Sequence, residues 1–309
     1  MENMTPVSEN TANTENPAAP VTPEKKKRFK EGRRIKNLPP MSVFVPFIMT
    51  QKNDACNFIS DSFDIEAVED YIFKKRDEGY KGFGIMHVMI AAYVRALAEK
   101  PGVNRFARRN RVWARNNIEI VLTIKKEMKL NAPDTIVKIF PEHTDTAVDI
   151  YERINSIVAE NKQDTESNFD KTAKVLTSIP AFLIRFAVRV LRVMDFFGII
   201  PRFLTKLSPF HGSLCISSVA SLGIPPVYHH IYNFGNVPVY LSYGTKRSEC
   251  YIASDGSVKE RKMLDFKVVT DERICDGYYY ASFLKTMKTY LKNPDKLDLV
   301  PANIVPDID

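Results

Sequence analysis

Fifteen residues from Ile85 to Glu99, IMHVMIAAYVRALAE, are apolar on almost every side. A helix with this composition has to be buried around its whole circumference. That requires a core with room for a helix inside it, which a chain of 309 residues can build as one large domain or two small ones. Pro101-Gly102 ends the helix. The segments around it supply the layers. The run from Asn57 to Phe63 reads as a strand, after which Asp64 caps a helix carrying Ile65, Val68, Tyr71 and Ile72 at helical spacing. The alternation and β-branching of IEIVLTIKKEM, from Ile118, mark a strand. A helix follows from about Thr146 to Asn161. Strands are expected at Leu214 to Val219, Val227 to Tyr232 and Val237 to Tyr243. Asp255-Gly256 is expected to turn a hairpin between Cys250–Ala253 and Ser257–Lys262. A strand over Met263 to Thr270 and a helix over Tyr279 to Leu291 complete the order. Without regular βαβ alternation, this order predicts an α/β fold of the α+β kind: a mixed sheet with helices packed on it.

The net charge of +7 is local. Residues 25–36, KKKRFKEGRRIK, hold eight Lys or Arg against one Glu, so this stretch accounts for all of it. The rest is close to neutral, which excludes a broadly basic nucleic-acid binder. Residues 1 to about 24 are poor in large apolar side chains and read as disordered. The expected organisation is a disordered tail with its basic stripe over 1–34 and one folded domain over 35–309. The four cysteines form no Cys-x-x-Cys pair, and no secretory signal is visible, so a reducing cytoplasm with free thiols and no metal site is expected.

The segment Ile179 to Leu207 is apolar except for a stripe of Arg185, Arg189 and Arg192 and a few further charges. Pro201 and those charges argue against a bilayer-spanning helix. It is either buried in the core or at a subunit interface, or lies on a membrane surface with its arginines near lipid phosphates. The basic stripe of 25–36 could join it in a peripheral membrane contact.

Three blocks carry a resemblance. Asp271 to Gly277, DERICDG, precedes a helix and Leu291-x-x-Pro294. Gly212-Ser213-Leu214-Cys215-Ile216-Ser217-Ser218 is followed by Ser221-Leu222-Gly223, and the buried helix runs into Pro101-Gly102-Val103-Asn104. In order and spacing these resemble the dihydrolipoamide acyltransferases, the catalytic cores of 2-oxo acid dehydrogenase complexes. Chloramphenicol acetyltransferase is their structural relative, and the shared motif is His-x-x-x-Asp-Gly. The resemblance covers about Arg34 to Leu297 and is patchy over Ile179 to Leu207. It implies a chloramphenicol acetyltransferase-like fold and a homotrimer with each active site between two subunits. It also implies a coenzyme A thioester as co-substrate, a small-molecule acyl donor and acceptor, and no covalently bound cofactor.

Carried over by position, Asp276 and Gly277 match the motif and fix the turn beneath the site, with Arg273 beside them as a structural residue. Ser217 falls at the oxyanion-stabilising position, where its hydroxyl would donate to the developing charge; a strand serine bonded to backbone is the alternative. The catalytic histidine position holds Glu272. A carboxylate near 4.3 is a weaker base for a thiol near 8.5 than an imidazole near 6.5, although desolvation can raise it. His229 and His230, in Tyr228-His229-His230-Ile231-Tyr232, are candidate replacements, with Glu272 orienting one of them as in a triad. Strand alternation would put the two imidazoles on opposite faces, which argues against a shared metal; structural packing is the alternative for both. His211 is a second-rank candidate. The readings left open are an acyltransferase with a rearranged base, a pseudoenzyme scaffold that binds an acyl carrier, and a membrane-surface protein.

Overall fold

The computed structural model describes residues 31–125, 134–163 and 179–309. The expected disorder of residues 1–24 and most of the basic stripe lie outside these residues.

Nine strands are found among the described residues. β1 (Gly32–Arg34), β3 (Arg105–Arg108) and β4 (Arg111–Arg115) form a small antiparallel sheet in the order β1-β4-β3. The fold thus starts before the boundary expected at residue 34, because Gly32 to Arg34 pair with Arg115 to Trp113. The main sheet has the order β2-β9-β8-β7-β5-β6. Its strands are β2 (Cys56–Asp64), β5 (Ile120–Lys125), β6 (Asp134–Ile139), β7 (Leu214–Ser218), β8 (Val239–Ile252) and β9 (Val258–Asp271). β7 runs parallel to both β5 and β8, and the other pairs are antiparallel, so the sheet is mixed.

The helices are α1 (Pro40–Ile48), α2 (Glu66–Asp77), α3 (Ile85–Glu99), α4 (Ala147–Gln163), α5 (Ala181–Phe197), α6 (Arg202–Leu207) and α7 (Gly277–Lys292). α3 keeps the bounds read from the sequence and is buried from His87 to Ala98. It packs between α2, α4 and α7 over one face of the main sheet. Leu214, Ile216, Val239, Leu241, Phe266 and Val268 point into that core. The N-cap of α2 is Ile65 rather than the expected Asp64, which stands one residue before it and accepts from the Glu66 N–H at 3.0 Å.

Three expectations are corrected. First, Val227 to Tyr232 is not a strand. Pro225 and Pro226 precede it and remove donors. The Val227 N–H donates to Ser242 Oγ at 3.0 Å and the Ser242 hydroxyl returns a bond to the Val227 carbonyl, so a side chain replaces the ladder. Second, the strands placed at 237–243 and 250–253 are one strand, β8, and those at 257–262 and 263–270 are one strand, β9. A bulge in β8 between Tyr243 and Lys246 interrupts the alternation that marks a strand, which is why β8 reads as two pieces. Third, the alternative that placed 179–207 in the core fails: none of the residues of α5 is buried, and on α6 only Thr205 is.

Candidate active site

The opposite face of the main sheet holds the site. On β7, Leu214 and Ile216 face the helices, so Cys215 and Ser217 face away. The parallel register sets Cys215 beside Tyr240 and Ser217 beside Ser242. The Tyr240 hydroxyl donates to Ser217 Oγ at 3.2 Å. Val121 and Thr123 on β5 and Ile136 on β6 extend the same face.

The segment from Gly223 to Pro238 folds over this face without forming a strand. Its shape depends on Gly235, at φ +78°, where a Cβ would sit 2.0 Å from the Phe210 carbonyl oxygen. A buried lysine and a half-buried aspartate hold that glycine. Lys52 Nζ donates to its carbonyl at 2.6 Å, and its N–H donates to Asp195 Oδ2 at 2.9 Å. Between loop and sheet lies a cavity of about 240 Å³. Its wall is mostly apolar, and the groups that can do chemistry in it are His229, His230, Tyr240, Cys215 and Lys52.

The two imidazoles are on the same side. Their rings stack at 4.6 Å and 24°, contrary to the opposite faces expected of a strand. His229 also lies flat on Tyr240, at 4.1 Å and 7°. Among the described residues no group of three or more His, Cys, Asp or Glu is placed to hold a metal ion. His229 Nδ1 is 2.8 Å from the His230 carbonyl oxygen, which can only accept. In the neutral ring Nδ1 therefore carries the proton and Nε2 carries the lone pair. Burial lowers the His229 pKa, against the opposing hydrogen bond to the His230 carbonyl, and favours that neutral form.

Burial pushes the Cys215 thiol up to about 12, so it stays protonated at neutral pH and is no nucleophile there. Lys52, 3% exposed, is brought down by burial to about 7, against the opposing pull of Asp271. Neither Lys52 nor Tyr240 was legible as a site residue in the sequence. The one signal for Tyr240 was its place on the strand that pairs with the Ser217 segment.

The DERICDG segment stands elsewhere. Asp276 is the N-cap of α7, its Oδ1 accepting from the Tyr279 N–H at 2.8 Å. Gly277 opens the helix and has open space where a Cβ would be. Arg273 is held by Asp271 rather than by Asp276: its Nε and Nη2 donate to the two carboxylate oxygens at 2.8 and 2.7 Å, both residues buried. The Glu272 N–H donates to the Ala55 carbonyl at 2.8 Å. Its half-buried side chain lines an open cleft between β2 and α7, with Asn57, Asp61, Lys285 and Lys288. Within one chain, Glu272 and the two histidines thus line separate cavities. His211 is buried, with Nε2 3.2 Å from Asp195 Oδ1 and Nδ1 2.8 Å from Ser208 Oγ, and has a holding role outside the cavity.

Residues 208–299 match the family model described as 2-oxoacid dehydrogenases acyltransferase (catalytic domain). No curated protein sequence matches the chain. Among solved structures, a probable dihydrolipoamide acetyltransferase from Listeria monocytogenes is similar at 16% identity and a TM-score of 0.55, covering 84% of this chain and 94% of that one. A truncated catalytic core of the 2-oxoacid dehydrogenase multienzyme complex from Thermoplasma acidophilum is similar at 11% identity and a TM-score of 0.51, over 85% of this chain and 100% of that one. The cubic core of a pyruvate dehydrogenase multienzyme complex is similar at 14% identity and a TM-score of 0.50, over 90% and 99%. The mixed sheet with its packed helices is therefore the fold of the acyltransferase cores, as the sequence implied. The matched stretch holds Ser217, both histidines and the DERICDG segment.

Proposed function

We propose that the protein is an acyltransferase that moves an acyl group between coenzyme A, or another thiol carrier, and a small-molecule acceptor, at a site completed by a neighbouring subunit of a homotrimer. One observation carries this reading: a neutral imidazole whose Nε2 meets no hydrogen-bond partner among the described residues lies flat on the tyrosine that donates to Ser217, at the wall of an apolar cavity. His229 Nε2 takes the thiol proton. The resulting thiolate attacks the acyl carbonyl carbon, and the carbonyl electron pair moves onto oxygen. The Ser217 hydroxyl, its own oxygen occupied by the Tyr240 donor, turns its proton to that oxyanion. Collapse expels the leaving group, which takes the proton back from His229. Glu272 of a neighbouring chain approaches the exposed His230 and holds the histidine pair, which accounts for a carboxylate at the motif position and for its distance from the cavity within one chain. The free thiols suit a reducing, cytoplasmic location.

Coenzyme A release from a series of acyl-coenzyme A thioesters, with dithiol and amine acceptors, tests this. His229→Gln is expected to lower kcat/KM by about 10²–10⁴-fold and Ser217→Ala by about 10²–10³-fold. Because the His229 pKa lies below its ordinary value, the acid limb of the profile should fall below pH ~6.5. Activity that survives substitution of His229, His230, Ser217 and Glu272 in turn would reject the reading. A second reading rests on Glu272, whose carboxylate meets no hydrogen-bond partner among the described residues: a catalytically inactive trimer that binds an acyl carrier. Saturable binding of acyl-coenzyme A without turnover would favour it.

A further inference from the structure

α5 has three distinct sides. Ile184, Leu191, Met194 and Asp195 are half-buried and mark the side against the fold. Helical periodicity puts Phe182, Phe186, Val190, Val193 and Phe197 on the side away from it. These side chains stand in the open, with Phe182 and Phe186 both 68% exposed and Val193 53%. Arg185, Arg189 and Arg192, at i, i+4 and i+7, run along one border between the two. The one acid of the helix, Asp195, is engaged inward by Arg108, His211 and the Gly235 N–H. The outer surface therefore carries apolar and cationic groups with no carboxylate from the helix itself.

The surface continues beyond α5. The turn between β3 and β4 reaches both ways. The Arg109 guanidinium lies 4.8 Å over the Phe197 ring, and Arg111 lies 4.9 Å over Phe47 of α1. On α1, Met41, Phe44 and Ile48 are 70%, 61% and 74% exposed. Two amphipathic helices and an arginine turn thus join in one exposed apolar patch with cations along it. A patch of this kind marks an interaction site.

We propose that this patch docks the protein onto an anionic lipid surface, with α5 lying in the plane of the interface. The charge pattern selects this occupant. Apolar side chains enter the acyl boundary while arginines beside them meet lipid phosphates. A second copy of the chain would have to bring a row of carboxylates to the three arginines, and the patch offers none of its own. No helix among the described residues is long and apolar enough to cross a membrane, which fits a surface attachment. The inference does not depend on the acyl-transfer reading, since it concerns binding alone.

The test uses the full chain, with flotation on vesicles of phosphatidylcholine alone and of phosphatidylcholine with phosphatidylserine, at low and high salt. Solution mass is followed by sedimentation and fold by circular dichroism. The protein is expected to float with the anionic vesicles at low salt. Binding should weaken about 100-fold when Arg185→Gln, Arg189→Gln and Arg192→Gln are combined, at about fivefold for each arginine near the surface. Phe182→Ser with Phe186→Ser should abolish flotation at unchanged solution mass and unchanged fold. Failure of the wild type to float with anionic vesicles would overturn the proposal, as would flotation unaffected by both sets of changes. A drop in solution mass caused by the serine substitutions would also overturn it, by assigning the patch to another copy of the chain.

Discussion

α3 and α5 are close to the same length and both are rich in large apolar residues, yet their surroundings are opposite. α3 is buried from His87 to Ala98, while no residue of α5 is fully buried. The difference lies in how their polar residues are distributed. On α3 the charged Arg95 reaches backbone carbonyls, at 3.4 Å from that of Lys296, so a charge is accommodated inside the fold. On α5 three arginines share one side and leave room for an apolar arc beside them. Apolar content says that a helix needs cover; the placement of its charges says whether the chain itself can supply it.

Three measurements would sharpen or break this contrast. The largest effect is expected from Leu97→Ala on α3. The side chain is fully buried, and its removal should cost about 2–5 kcal/mol in urea or thermal unfolding. A cost near zero would mean that α3 is not the centre of the core.

The next concerns His87, on the same helix. Burial lowers its pKa to about 4. The Gly84 N–H donates to Nδ1 at 3.0 Å, and the ring stacks on Phe83 at 5.1 Å. The folded state therefore holds the imidazole neutral, while the unfolded chain protonates it near pH ~6.5. The stability tied to the neutral ring is complete above that pH and is lost as pH falls toward about 4, where it amounts to about 3 kcal/mol. Unfolding of wild type and His87→Phe, compared at neutral and acidic pH, should show the wild type losing about that much more. Parallel pH profiles would count against a buried neutral histidine.

The smallest effect is expected from Phe186→Ala on α5. With the ring 68% exposed, stability should change by less than about 0.5 kcal/mol. A loss of core size would show that another subunit covers the helix.

Much of the fold was legible from local chemistry. The buried helix showed in an apolar run without a polar face, β2 and β7 in their patterning, and α7 in the Asp-Gly start and the Pro294 stop. The site was less legible. Ser217 could be placed on its strand, and His229 and His230 could be named as candidates for a base. The strand assigned to Val227–Tyr232 then sent the two imidazoles to opposite faces, because nothing in the local sequence shows Ser242 taking over the Val227 backbone bonds. Lys52 was invisible for the same reason: its burial and its bond to Gly235 join residues 183 positions apart.

The sequence alone determined the main elements around the core, among them α3, β7 and α7, since helix and strand periods, caps and turns depend on residues within a few positions of one another. It also set a glutamate, Glu272, four residues before Asp276, where the resemblance expects a histidine. Tertiary structure decided what those residues meet. It stacked His229 on Tyr240, tied Tyr240 to Ser217, set Glu272 in a separate cleft and left α5 uncovered. Each of these outcomes depends on strand register and loop closure, which bring distant segments together and which no short stretch of sequence encodes.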